Sequence, residues 1–464
     1  MRHGMVKAEI SRGTTPAPTP GARILIVGGG YVGMYTALRL QRKLRSGEAE
    51  VIVVSPDPYM TYQPFLPEAA AGNISPRHVV VPLRRVLEKC TIIIGEATAI
   101  DHSRRTATLK TLASEEEEGD GTVEISYDEL VLAPGSVSRT LPVPGLAEHG
   151  IGFKTVEEAI GLRNHVIEQM DIASSTRDPA IRSAALTFVF VGGGYAGVEA
   201  LAELEDMARY ASRYYHNIKA DDLKWILVEA TDRILPEVGD EMGRYAVREL
   251  RARNIDVRLE TRLDSCEERV AVLSDGARFR TRTVVWTAGV KPHPVLAASD
   301  LPLNGRGRLK CAATLAVEGT EHAWGAGDAA AVPDLTADET GALCAPNAQH
   351  AVRQAGVLAA NIVASLRDEP LQDYRHAYAG SVASLGLHKG VAHVYGRKLK
   401  GYPAWLMHRV YHLSRVPTFN RKARVLAEWT LSGLFKREIV SLGSLEHPRA
   451  EFELAAGGER PKDT

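Results

Sequence analysis

Residues 187–199 read TFVFVGGGYAGVE, and residues 22–34 have already read ARILIVGGGYVGM. In each copy a short apolar run, Ile24–Val27 or Phe188–Val191, enters glycines spaced G-x-G-x-x-G. These are Gly28, Gly30 and Gly33, then Gly192, Gly194 and Gly197. A continuous apolar run suits a parallel strand buried on both faces. The first glycine permits a tight turn. The second lets a pyrophosphate approach the backbone, and the third lets the next helix pack on the strand. The helix N-terminus then offers free N–H groups and a positive dipole to phosphate. One such motif is a weak signal, since it also fits a glycine-rich turn without a ligand. Two, each between an apolar strand and a helix-forming run, predict an α/β chain with two Rossmann-like dinucleotide-binding units.

The second strand of each unit speaks to its nucleotide. LKWILVEA ends at Glu229, whose carboxylate suits both ribose hydroxyls of an adenosine and repels a 2′-phosphate. That favours NADH over NADPH. Glu229 lies farther from Gly197 than usual, and ARYASRYYHNIKADD is expected to fill the gap as extended helix and loop. In the first unit AEVIVVSPDPYMTYQPF ends its strand at Ser55, where a carboxylate is expected, so Asp57 is the candidate to reach the ribose. ELVLAPGS (129–136) and TVVWTAGV (283–290) each run a strand into a tight turn, at Gly135 and Gly289. HAWGAGDAAA (322–331) predicts a strand, a turn and a helix start, with Asp328 bonding a polyol or simply capping a helix.

The chain has 464 residues, enough for two or three domains, and a formal net charge of -1 that gives no reason to expect nucleic acid. Its four cysteines, Cys90, Cys266, Cys311 and Cys344, form no C-x-x-C pair, which argues against a dithiol mechanism and against a bound metal. No apolar run approaches the roughly 20 residues of a membrane helix. Residues 1–21 read as a disordered leader, and ASEEEEGDG (113–121) as a solvated loop tip.

The order of these landmarks resembles the two-dinucleotide-binding flavoprotein reductases, of glutathione-reductase-like fold. Within them the chain is similar to the type II NADH dehydrogenases, the non-proton-pumping NADH:quinone oxidoreductases. YMTYQPFLPEAAAG (59–72), GGGYAGVEALAEL (192–204), LVEATDRILP (227–236), WTAGVKPHP (286–294) and APNAQHAVRQA (345–355) carry the likeness. The resemblance implies non-covalent FAD at the first motif and NADH at the second. It implies that Gln63 and Pro64 neighbour the flavin, and that Glu199 lies near the nicotinamide–flavin contact. A helix-surface Glu stabilised by the dipole is the alternative for Glu199. Ala348 and Gln349 match the start of the family's A-Q-x-A-x-Q quinone pattern, but Arg353 replaces its second Gln and Gln354 is shifted by one. The acceptor implied is a quinone of menaquinone or ubiquinone type.

The C-terminal stretch from Gly396 to Phe435 is rich in Lys and Arg, with Trp405, Tyr411, Phe419, Trp429 and Phe435 interleaved. Leu406, Val410 and Leu413 recur at helical spacing, as do Val425, Trp429 and Ser432. Such helices suit an anionic bilayer surface, placing the protein peripherally on the cytoplasmic face of the cell membrane. A helical subdomain covering the core or a homodimer face is the alternative. The expected organisation is a leader (1–21), then an FAD-binding domain in two stretches (22–150 and 290–375) interrupted by an NADH-binding domain (151–289), and a membrane-associating segment (376–464). Two other functions fit the same residues: a soluble NADH-dependent reductase of a small redox protein, and a non-enzymatic NADH-sensing flavoprotein.

Overall fold

A computed structural model describes residues 21–112, 121–339, 341–377, 380–435 and 439–441. Almost all of the leader and of the acidic run lie outside the described residues. So does the end of the C-terminal segment. The chain forms two compact units. The first gathers the chain up to Pro58, Leu83–Gly135 and Pro292–His376; the second gathers Tyr59–Pro82, Ser136–Lys291 and the chain from Ala377 on.

The first unit holds a seven-stranded sheet ordered Ala323–Gly325, Glu129–Leu132, Ala22–Val27, Ala49–Ser55, Thr91–Asp101, Thr106–Thr111, Thr122–Ser126. The first five strands are parallel, and each of the last two pairs antiparallel with the strand before it. Ile24, Leu25 and Ile26 are fully buried, as their unbroken apolar run requires. The Tyr31–Lys43 helix packs against the Ala348–Leu366 helix. Register puts Val27 beside both Val54 and Leu132, and Leu132 beside Gly325. The ends of these strands therefore deliver Gly28, the Ala133–Gly135 turn and Asp328 to one edge of the sheet.

The second unit repeats the plan with a five-stranded parallel sheet: Gly150–Gly152, Thr283–Trp286, Thr187–Val191, Lys224–Val228, Ile255–Arg258. Val191 lies beside Val228 and Trp286. Gly192, Glu229 and the Thr287–Gly289 turn thus share its carboxyl edge. The extended stretch before Glu229 is helix to Ala211, then two 3-10 turns joined by loop, as expected.

Three segments sit elsewhere than the sequence places them, one of them residues 136–150, which belong to the second unit. Tyr59–Pro82 belongs to the second unit, where its Leu66–Ala70 helix packs on the Val156–Ser175 and Tyr195–Ala211 helices. The C-terminal residues also join the second unit, as a three-stranded antiparallel sheet (Gly380–Ser384, Gly390–Val394, Arg397–Lys400) and two helices, Tyr402–Arg415 and Phe419–Leu434.

Candidate active site

The glycines test whether a dinucleotide fits. Gly28 (φ +107°) and Gly192 (φ +116°) adopt a backbone conformation that side chains rarely allow, and a Cβ there would strike Ala133 and Thr287. At Gly33 and Gly197 a Cβ would lie 1.8 and 2.0 Å from the carbonyls of Gly28 and Gly192, so each helix closes onto its own loop. Gly30 and Gly194 differ: a Cβ at either would meet nothing within 4 Å. Each is the N-cap of its helix, with no side chain capping the first turn. Both loops therefore present backbone N–H groups to open space, as phosphate requires. Gly135 (φ +79°) and Gly289 (φ +92°) also face open space.

Around the second loop, Glu229 is half-buried at the strand end and bonded to the loop itself. Gly193 N–H donates to its Oε2 at 2.6 Å, while Thr231 N–H and Oγ1–H donate to Oε1 at 2.8 Å each. The carboxylate is held in one orientation beside the glycines, and its anionic oxygens retain acceptor capacity. Around the first loop the corresponding place holds buried Ser55, against which a Cβ on Gly29 would clash. Asp57 lies two residues beyond, on the exposed surface.

Asp328 is half-buried in the short 3-10 turn Gly327–Ala329, which leads into the two-residue strand Ala330–Ala331. The expected helix start does not follow; the helix that serves this turn begins 20 residues on, at Ala348. Gln354, on that helix, accepts from Gly327 N–H at 2.7 Å and is almost fully buried. This bond ties the turn to the helix. Arg353 instead donates to the backbone oxygen of Gln349 at 3.0 Å. Gln349 Oε1 lies 3.0 Å from His376 Nε2, and His350, unassigned by sequence, is buried against Tyr374 at 2.9 Å. Burial lowers the His350 pKa from its ordinary value.

Gln63 and Pro64 form a 3-10 turn, Gln63–Phe65, in the second unit. Glu199 also lies in that unit, and it is not a surface residue: it is 5% exposed. Its Oε1 accepts from Ser384 N–H at 2.7 Å and lies 3.0 Å from His408 Nε2. One turn later Glu203 accepts from Ser384 Oγ–H at 2.8 Å and from Asn73 Nδ2–H at 3.0 Å. Glu68 accepts from Trp429 Nε1–H at 2.6 Å and pairs with Arg409 at 3.3 Å. Burial, with Glu68 and Asp206 adding repulsion, raises the Glu203 carboxyl to about 7. This buried cluster escaped sequence reading, because Glu203 and Glu68 look like ordinary helix-surface residues there.

The four thiols are free, and burial raises them to about 11, or about 12 for Cys311. Neither spacing nor acidity equips them for disulfide exchange.

The model of the pyridine nucleotide-disulphide oxidoreductase family matches residues 22–355, spanning both glycine motifs and the Asp328 turn. The chain belongs to this family. A type II NADH:quinone oxidoreductase of Staphylococcus epidermidis is 29% identical over 395 residues, covering 84% of this chain and 93% of the relative. Among solved structures, NDH2 from Plasmodium falciparum in complex with NADH aligns with a TM-score of 0.81 at 16% identity, over 90% of this chain and 99% of that one. The sulfide:quinone oxidoreductase of Aquifex aeolicus shares the fold at a TM-score of 0.66 and 17% identity, over 90% of this chain and 96% of that one. Both structural likenesses concern the fold. The family binds a pyridine nucleotide and a flavin, and the two backbone cradles fit that pair.

Proposed function

We propose that this protein is a flavin-dependent NADH:quinone oxidoreductase that takes FAD at the first glycine motif and NADH at the second. The observation that carries the reading is the doubled cradle, with a carboxylate at one copy and none at the other. In balance, NADH, one proton and a quinone become NAD⁺ and a quinol. A bound flavin supplies the two-electron chemistry between donor and acceptor. The residues bind and orient. Gly28, Gly30 and Gly33 with the helix start at Tyr31 receive the FAD pyrophosphate; Asp328 and Gly135 border it, and Asp57 is the candidate for its ribose. Gly192, Gly194 and Gly197 receive the NADH pyrophosphate, Glu229 takes the adenosine ribose, and Gly289 borders that site. Gln63 and Pro64 are assigned beside the flavin, with Glu199 near the nicotinamide. Ala348 and Gln349 are assigned to the flavin–quinone side.

The bilayer is the source of a lipid-soluble quinone, so we assign the protein to a membrane surface through its C-terminal helices. No helix among the described residues is long and apolar enough to cross a membrane. The test is NADH oxidation by the purified protein against a menaquinone analogue, with and without lipid, and identification of the flavin released on denaturation. Steady turnover with quinone and release of FAD support the reading. Turnover only with a small redox protein favours the soluble-reductase alternative, and absence of any turnover favours the sensor.

A further inference from the structure

We propose that His408 is the positioning residue of Glu199: as an imidazolium it pairs with that buried carboxylate and holds it turned toward Ser384. The inference rests on the assignment of Glu199 to the reaction, and its geometry lies wholly in the second unit. His408 is 1% exposed, on the Tyr402–Arg415 helix. Its Nε2 is 3.0 Å from Glu199 Oε1, an ion-pair distance although the N–H points off the line to the oxygen. Its Nδ1 has no hydrogen-bond partner among the described residues. Among those residues, His408 is the basic side chain at ion-pair distance from Glu199. A neutral His408 would leave a carboxylate buried with one backbone N–H for company, which is costly.

The surrounding groups decide the charge. The Tyr195–Ala211 helix presents Glu199 and Glu203, with Asp206 farther along; the Leu66–Ala70 helix presents Glu68. On its own helix Arg409 is engaged by Glu68, and His412 packs edge-on at 4.5 Å while meeting Tyr62 Oη at 3.2 Å. The 380–384 strand contributes only neutral Ser384, and the Phe419–Leu434 helix contributes Trp429 to Glu68. Burial acts to lower the His408 pKa, but Glu199, with Glu68 and Glu203 beyond it, outweighs burial and raises it. Burial and the neighbouring His408 charge hold His412 well below its ordinary value. Of the two rings, the proton is favoured on His408 over its edge-on neighbour His412.

The test is ¹⁵N NMR of histidine-labelled full-length protein, wild type against Glu199→Gln, titrated over about pH 5.5–8.5 to bracket the ordinary histidine value. A resonance pair with cationic shifts at neutral pH that responds to Glu199→Gln is expected in the wild type. It should move to a midpoint lower by at least about one pH unit in Glu199→Gln. The shift identifies the residue without a His408 variant that has to fold. A neutral His408 throughout, or no change on Glu199→Gln, overturns the proposal. Where His408→Gln folds, it should raise the pH below which kcat/KM for NADH declines by at least about one unit, because the cationic partner beside the buried Glu199 is gone. An unchanged profile overturns the positioning role. Absence of NADH oxidation removes the functional reading alone, and the NMR titration still decides the pairing.

Discussion

Gly30 and Gly33 stand three residues apart and are needed for different reasons, which separates binding from folding. Gly33→Ala drives a methyl into the Gly28 carbonyl, 1.8 Å away, so the loop or the helix must shift. Gly30→Ala meets no protein atom within 4 Å and fills only the space proposed for phosphate. Gly33→Ala is therefore expected to lower the thermal midpoint and yield. Gly30→Ala should leave the stability of the apoprotein within about 0.5 kcal/mol, as at sites without a structural conflict, yet release flavin readily on gel filtration. Glu229 supports a prediction of the other motif. Its charge faces an adenosine 2′-phosphate unfavourably, so NADH should exceed NADPH by at least about tenfold in kcat/KM, about 1.4 kcal/mol. Glu229→Gln removes the charge and should narrow that ratio in steady-state assays with both nucleotides. Equal use of the two nucleotides by the wild type would contradict the assignment.

Single elements show what periodicity can and cannot disclose. Val425, Trp429 and Ser432 do fall on one helical face, but Val425 and Trp429 turn inward. Val425 is fully buried, Trp429 meets Glu68 and Phe65, and Ser432 meets the Asn73 carbonyl. Spacing defines a stripe without saying what covers it. The glycine loops were legible because their constraint is local, set by backbone angles and approaches within a few residues. The Glu199–His408 pair was not, since its partners lie far apart in the chain and neither has an unusual local context. The helix expected after Asp328 failed for a related reason: small residues there permit close packing, here near Val32, without requiring helix. The buried acids give a pH prediction. The folded Glu203 carboxyl titrates near about 7 against an ordinary 4.5. Between those values the folded state keeps a proton that the unfolded state has released. Stability therefore falls as pH rises through that window. His408, raised in the folded state, adds a loss of the same sign as pH passes its folded value. Glu203→Gln should flatten the fall, and thermal midpoints taken at intervals from about pH 5 to about pH 8 measure it. A wild-type midpoint that rises across this range would contradict the carboxyl's protonation.

At the scale of the whole molecule, a chain with one dinucleotide unit repeated must differ where donor and acceptor differ, and the added C-terminal elements supply the other difference. Apolar side chains stand out from them: Leu406, Val410, Leu426, Leu431, Leu434 and Phe435 are all exposed. Not every basic residue of this segment is available to lipid. Arg409 lies between Trp405 and Trp429 and pairs with Glu68, while Lys398 and Lys400 pair with Glu241. Arg421, Lys422 and Arg424 are the set to test, at the start of the Phe419–Leu434 helix. Each bulky apolar side chain entering the interface contributes on the order of 1–2 kcal/mol, and each cation near an anionic leaflet about 1 kcal/mol. The second contribution is screened by salt and the first is not. Co-sedimentation with anionic vesicles should therefore be strong at low salt, partly lost at high salt and abolished by detergent. Replacing Arg421, Lys422 and Arg424 with Gln should remove most of the salt-sensitive share, while Leu431→Ser and Leu434→Ser should weaken the remainder. NADH oxidation with a water-soluble quinone analogue should survive all these changes, since none touches either glycine loop. Failure of the wild type to sediment with vesicles at low salt would overturn the membrane assignment and favour a soluble acceptor.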